Sequence, residues 1–396
     1  MNALAVTRNR VNSVDVLRGI IMVIMALDHV RDFFHVTAMT ADPLNIATTT
    51  PALFFTRWIT HFCAPVFAFL AGTSIYLTGL KRSKSNLSAF LFKRGLWLVI
   101  VEIVIMTFAL SFNPSYNIIF LQIIWAIGCS MIIMAVLIYL PLWAILSVGV
   151  ILFFGHNLFD VVLQPSKGNS NIFLELFVTG SANFYPLDKA HTVAAFYKIL
   201  PFTAIMILGY GLGSFFRPEI TSAHRRKVLL LFGLLGIATF IIVRFINVYG
   251  DPVLWSPQST PFNTFLSFIS TTKYPPSLLF ACMTIGPALI VLSLVEGVQS
   301  KLASFFITYG RVPFFYYIIH FFLIHTLCLV MFYLTGHNNR QVADAASPFY
   351  FRPAAFGFNL VTVYGIWMLI VLLMYPLCKW YGNYKLSHKH WWLSYL

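Results

Sequence analysis

The chain has 396 residues, 59% of them hydrophobic and 10% charged, with a mean hydropathy of +0.82. That composition excludes a soluble enzyme, a secreted scaffold and a disordered tail, and marks an integral membrane protein. A net charge of +14, from 26 Lys and Arg against 12 Asp and Glu, reports topology here and gives no ground for a nucleic-acid partner.

No ten-residue alternation of a barrel strand occurs among the 40 Phe, 18 Tyr and 9 Trp, so helices are the spanning structure. The expected fold class is all-α: a polytopic membrane protein of about ten transmembrane helices, forming a single domain over residues 1–396 in the lipid bilayer. Cys63, Cys129, Cys282, Cys328 and Cys378 lie singly in apolar runs, which indicates neither a disulfide framework nor a zinc site.

In chain order, Arg8, Arg10 and Arg18 precede an apolar run with no small-residue cleavage site, so the run Leu17 to Phe34 reads as a retained first span. The next runs are Leu53 to Leu80, Gly95 to Phe112, Ile118 to Ile138 and Leu142 to Phe159, the last two separated at Pro141. A polar stretch holding Gln164 to Ser170 and Asp188 to His191 follows. The runs resume at Ala194 to Phe216, Val228 to Ile246, Ser277 to Val295, Val312 to Leu334 and Phe358 to Leu377. An even number of spans puts both termini on one side. That side collects 17 of the 26 Lys and Arg and leaves 9 for the other, so both termini are expected in the cytoplasm. Five spans followed by five is the arithmetic of an inverted repeat, but no motif recurs between the halves and no corresponding pair of segments is broken by Gly and Pro.

The first span, SVDVLRGIIMVIMALDHVRDFFH, carries the sharpest chemical signal. Arg18 and His29 are separated by about 1100° of rotation and about 16 Å of rise, so they share one helix face at different depths. Asp28 and Asp32 flank that face, and the i, i+3 spacing lets Asp32 hydrogen bond to His29 and fix its tautomer. A carboxylate near the centre of a spanning helix costs about 2.5 to 3.5 kcal/mol and generally has a partner or a task. The structural alternative is an Asp28–Arg31 pair.

Depth arithmetic adds company. His61 lies about 12 Å inside one boundary and His29 about 18 Å from the other, in a core about 30 Å thick, so the two share a level. In the ninth span, GRVPFFYYIIHFFLIH, His320 reaches the same level, whereas His325 and His156 read as helix-packing hydrogen bonds. No two histidines have the i, i+4 spacing of a metal pair, so no metal is expected. Glu102 is expected to be neutralised by an Arg from the cytoplasmic side, and Gln122 and Trp125 are polar handles in an apolar run. In TTKYPPSLLF, Lys273 and Tyr274 are either an aromatic anchor with a snorkelling Lys or donors at the outer mouth of a cavity floored by His29, His61 and His320.

These residues carry a resemblance. SVDVLRG, ALDHVRDFFH, RWITHFCAPVFAFLAGTS, LQIIWAIG, TTKYPPSLLF and GRVPFFYYIIH, spread over nearly the whole chain, resemble the bacterial membrane proteins related to the catalytic domain of lysosomal heparan-α-glucosaminide N-acetyltransferase, within the wider transmembrane acyltransferases. The Arg18 and His29 separation is also similar to that of the polysaccharide O-acyltransferases.

The resemblance implies a multi-pass protein of the bacterial inner membrane that moves an acyl group, usually acetyl, from cytoplasmic acetyl-CoA to a hydroxyl or amine of a glycan or amino sugar. It leaves His29, His35 and His61 as alternatives for the catalytic histidine, with Asp28 and Asp32 as its carboxylates. A base with a pKa near 6.5 suits the acceptor proton. Donors for the oxyanion are sought among His61, His320, Tyr316 and Gln122, and cations for the donor phosphates at Arg18 and Arg311. Arg57, His35, Lys273 and Tyr274 complete the substrate-binding candidates, and a homo-oligomer is compatible with the reading. The alternative is a secondary transporter of an anionic or sugar-like solute using Asp28 and His29 as a proton relay.

Overall fold

The computed structural model describes residues 11–159, 172–177 and 184–394. Arg8, Arg10 and the Gln164 to Ser170 stretch lie outside the described residues. Of the described residues, 68% are helical. The helices are α1 Asn12–Phe34, α2 Pro51–Thr60, α3 Cys63–Gly79, α4 Lys84–Val101, α5 Thr107–Ser111, α6 Ile123–Leu137, α7 Leu142–Gly155 and α8 Ile172–Phe177. Then come α9 Ile199–Leu212, α10 Ser222–Ile246, α11 Pro261–Ile269, α12 Leu278–Leu294, α13 Lys301–Gly310, α14 Pro313–Leu334 and α15 Leu360–Ser387. A π-helical turn, Glu102–Met106, joins α4 to α5.

Each apolar run of the sequence contains a helix. Among the described residues, five helical stretches are long and apolar enough to cross a membrane: Pro51–Gly79, Ile199–Phe216, Ser222–Ile246, Pro313–Leu334 and Leu360–Ser387. Three shorter apolar helices, α6, α7 and α12, accompany them. Leu231, Leu235, Ile242 and Phe245 of α10 and Val361, Met368 and Leu372 of α15 are exposed, an apolar surface suited to lipid contact. Helix starts follow local chemistry. Thr50, Ser83, Ser277 and Ser300 accept the backbone N–H of Leu53, Asn86, Phe280 and Ala303, satisfying amides that the first turn leaves unpaired.

Two expected segments differ. The second breaks at His61 and Phe62 into α2 and α3. Pro65 has no N–H to give the carbonyl of His61 four residues earlier, so the ladder fails there. The fourth is helical only from Ile123, because Ile118–Leu121 forms a strand, β1. With β2, Phe184–Pro186, and β3, Thr192–Ala195, it makes a sheet of order β1-β3-β2. Ile118 pairs with Thr192 in parallel and Phe184 with Ala194 in antiparallel register.

Helix α1 is the axis of the molecule, packed by α2, α3, α12, α13, α14 and α15. Its contact with α13 has no room for side chains: a Cβ on Gly19 would sit 1.9 Å from the Phe306 carbonyl oxygen, and one on Gly310 would sit 1.9 Å from that of Asp15. Gly72 and Gly209 set the same spacing between α3 and α9. Small residues at such crossings let backbones touch, which supplies dispersion contacts where lipid offers no hydrophobic drive. The five cysteines are free.

Candidate active site

Helices α1, α3, α4, α6 and α14 enclose a cavity of about 350 Å³, within the range of small-molecule sites. Its polar wall holds four cations, Arg18, Arg94, Arg311 and Lys385, with Ser74, Thr78 and Tyr317; Met22, Ile75, Leu98, Ile124 and Phe314 are among the apolar remainder. Arg18 is fixed by bonds to Asp15 (3.1 Å), Ser74 Oγ (2.9 Å) and the Gly310 carbonyl (3.2 Å). Cations on an otherwise apolar wall suit a ligand with a phosphorylated head and a less polar arm. The expected Arg18 and Arg311 are there. Arg94 and Lys385, which in the sequence read chiefly as charges marking one side of the membrane, are brought beside them by packing.

From Tyr317 on that wall a line of rings leads inward. Tyr317 lies 5.8 Å from His320 between ring centroids, and His320 lies 5.3 Å from His29. Phe321 covers His29 at 4.1 Å. The Nδ1 of His320 is 2.9 Å from the Tyr316 carbonyl. A carbonyl only accepts, so Nδ1 carries the proton and donates, and Nε2, buried without a partner, presents a lone pair. This corrects the expectation for His320: as a neutral ring it is a proton acceptor and not an oxyanion donor. The hydroxyls of Tyr316 and Tyr317 are buried and unpartnered, and they are donors.

Asp28 is buried beside His29. Arg57 Nη1 donates to both its oxygens, at 2.6 and 2.7 Å, Arg31 Nη2 reaches it at 3.2 Å, and Lys273 Nζ stands 3.7 Å away. The Asp28–Arg31 pair of the structural alternative is therefore present, but Arg57 makes the shorter contacts. Asp32 accepts from Arg31 at 2.6 Å. No hydrogen bond joins it to His29 among the described residues, so the expected tautomer lock is overturned: Arg31, one residue away, outcompetes a neutral imidazole for a carboxylate. His61, at the α2–α3 break, is fully buried with both ring nitrogens unpartnered and packs on Phe280. It feels the charges of Arg57, Lys273, Asp28 and Arg31.

Other expected residues make the following contacts. The Nδ1 of His35 accepts the Thr37 N–H (3.3 Å), and its carbonyl accepts Arg352 (2.7 Å), closing the end of α1. Burial, with Arg31 and Arg352 nearby, lowers its pKa. Gln122 is the N-cap residue of α6, with no side-chain hydrogen bond to either histidine among the described residues. Among the described residues no Arg pairs with Glu102. It is fully buried and its Oε2 accepts the Trp125 N–H (3.0 Å) at the start of α6. His325 faces the carbonyls of Ala109 and Tyr350, and His156 that of Pro276, as packing histidines do. Tyr274 meets the hydroxyl of Tyr197 at 3.3 Å. Burial raises its pKa, but Lys273 and Arg57 outweigh this and draw it below the ordinary phenol value.

No curated protein matches this chain. A family model does: that of heparan-alpha-glucosaminide N-acetyltransferase, catalytic, matches residues 10–245. The matched stretch runs from α1 through α10 and contains Arg18, Asp28, His29, Arg57, His61 and Arg94; Lys273, Arg311, Tyr317, His320 and Lys385 fall beyond it. With more than half of its length matched, the chain belongs to this family and is, by that membership, a membrane acyltransferase.

Proposed function

We propose that the protein transfers an acyl group, acetyl in the simplest case, from cytoplasmic acyl-CoA to a hydroxyl or amine of a glycan or amino sugar presented from the other side of a bacterial inner membrane. One observation carries the reading: the cavity with four cations on its wall and the buried Asp28 cluster meet at His29, through Tyr317 and His320. Arg18, Arg94, Arg311 and Lys385 would hold the donor's phosphates, and the apolar wall its thioester arm. Both termini, with these cations, would be cytoplasmic, in one domain of about ten spans.

The chemistry needs few parts. His29 takes the proton of the acceptor O–H or N–H as the acceptor atom bonds to the thioester carbonyl carbon; the C–S bond then breaks and the thiolate recovers a proton. Asp28 next to His29, and the neutral His320 ring beside it, favour the imidazolium that forms. The buried hydroxyls of Tyr316 and Tyr317 are the donors available to the transient oxyanion. His61, Arg57, Lys273 and Tyr274 stand on the acceptor side.

The test is thiol release from acetyl-CoA by purified protein given amino sugars, run beside solute uptake into proteoliposomes without CoA. Acceptor-dependent thiol release supports the enzyme. Uptake of a sugar or organic anion with no thiol release would make the protein a transporter instead.

A further inference from the structure

Glu102 is fully buried on the π-helical turn between α4 and α5, and among the described residues no cation pairs with it. Its Oε2 accepts the Trp125 N–H at 3.0 Å, in the first turn of α6, while its Oε1 is buried with no partner. Single π-turns within α-helices are frequent at functional sites. Leu98, one turn before Glu102, and Ile123 and Ile124, next to Trp125, line the cavity that holds the four cations. The carboxyl therefore stands behind that wall, and the reaction as described gives it no task.

Two features suit this carboxyl to carry a proton. Burying an isolated carboxylate costs far more than burying the uncharged acid, which favours a proton on Oε1, the oxygen that accepts nothing. When that proton leaves, Oε2 is already at the N-terminus of α6, where backbone N–H groups and the helix dipole favour negative charge. Tyr317 connects the acid to the cavity. Its helix, α14, packs on the π-turn, and it feels the charge of Glu102. It also lines the cavity, and its hydroxyl is buried with no partner.

We propose that Glu102 rests as the uncharged acid and, acting through Tyr317, supplies the proton that the departing CoA thiolate needs. As the C–S bond breaks, the Tyr317 O–H bond breaks and an S–H bond forms, while the proton of Glu102 Oε1 passes to the Tyr317 oxygen. Glu102 is left as a carboxylate at the start of α6. It regains a proton from water as the thiol departs, and His29 returns to water the one it took from the acceptor, so protons balance over the cycle. The step matters because a thiolate set free in an apolar pocket is desolvated and leaves poorly until protonated. Glu102 is a positioning residue that does not touch the donor, and Tyr316 remains for the oxyanion. The inference rests on the acyl-transfer reading.

The experiment is a kinetic cycle on the purified full-length protein with acetyl-CoA and an amino-sugar acceptor. Glu102→Gln keeps an oxygen for the Trp125 N–H but has no proton to release, and should lower kcat about 100-fold with KM for acetyl-CoA unchanged. Glu102→Asp, which still holds a proton, should keep more of the rate than Glu102→Gln. Because the two residues act in series, Glu102→Gln added to Tyr317→Phe should cost little beyond Tyr317→Phe alone. A Glu102→Gln enzyme within a few-fold of wild type, the reverse order of Asp and Gln, or fully additive losses would each overturn the proposal and show Glu102 to be only a cap for α6. The wild type gives a reading that needs no variant to fold: the infrared carbonyl band of a protonated carboxylic acid at neutral pH, where exposed Asp and Glu are ionised. Absence of that band would overturn the proposal while leaving acyl transfer intact, whereas a wild type that releases no thiol with any acceptor would defeat the acyl-transfer reading and this step with it.

Discussion

His29 of α1 and His320 of α14 face each other with ring centroids 5.3 Å apart and planes inclined by 51°. The two rings differ in constraint: the backbone of its own helix fixes the tautomer of His320, whereas His29 has no such bond among the described residues. His29→Ala is therefore expected to lower kcat by a factor of about 100 to 10,000, the usual worth of a general base. His320→Phe, which keeps the packing but removes the unpartnered Nε2, should cost about 10- to 100-fold in kcat, with KM for either substrate nearly unchanged. Steady-state kinetics at equal protein levels checks both. A His29→Ala enzyme within a few-fold of wild type would move the base to His61.

Division of labour along α1 predicts variants that differ in kind. Arg311→Gln and Lys385→Gln remove cations from the cavity wall and should raise KM for acetyl-CoA about tenfold each with little change in kcat, because phosphate contacts made equally in ground and transition states act on binding alone. Wild-type KM should rise with ionic strength and the variants' KM less so. Arg18→Gln is a less clean probe, since it also removes bonds to Asp15 and Ser74. A fall in kcat at constant acetyl-CoA affinity for Arg311→Gln and Lys385→Gln would place the donor elsewhere.

The α1–α13 contact predicts a stability effect. Gly19→Ala would place a methyl group 1.9 Å from a backbone oxygen, so the helices must separate and lose packing along their length. About 1 to 3 kcal/mol or more is expected from such overpacking, read as a lower thermal midpoint in detergent. Gly155→Ala, where nothing lies within 4 Å, is the matched control and should leave the midpoint unchanged or raised.

Topology can be read by cysteine labelling in intact cells, where four of the five native cysteines are buried and contribute little background. A membrane-impermeant thiol reagent should modify a cysteine placed at Thr48, in the loop after α1, and spare one placed at Ser83, the N-cap of α4. The opposite pattern would put the cavity cations on the outer face and reverse the side of the donor.

What the sequence made legible was whatever lies within one helix or follows from depth along it. The Arg18 and His29 stripe, the Asp28–Arg31 pair and the shared level of His29 and His320 all come from rise and rotation, and the structure brings the two histidines into contact. Azimuth between helices is set by packing and is not written in spacing. Lys385 therefore looked like a topology charge, and Arg57 like one residue of a motif, until α15 and α2 were seen against α1. Local competition is likewise not written in spacing. Asp32 bonds to Arg31 and not to His29, and Glu102 takes the amide of Trp125 across a π-turn that no periodicity announces. The break at His61 is legible in Pro65, four residues on, although the hydropathy of the run is continuous.

The central claim, that this is an acyltransferase working through His29, is tested most directly by intact mass analysis of cell-envelope glycans from cells carrying wild-type protein, His29→Ala at equal abundance, or neither. The account predicts an acyl-sized mass increment on one glycan class with the wild type alone. Identical glycans in all three, or an increment that survives His29→Ala, would contradict it.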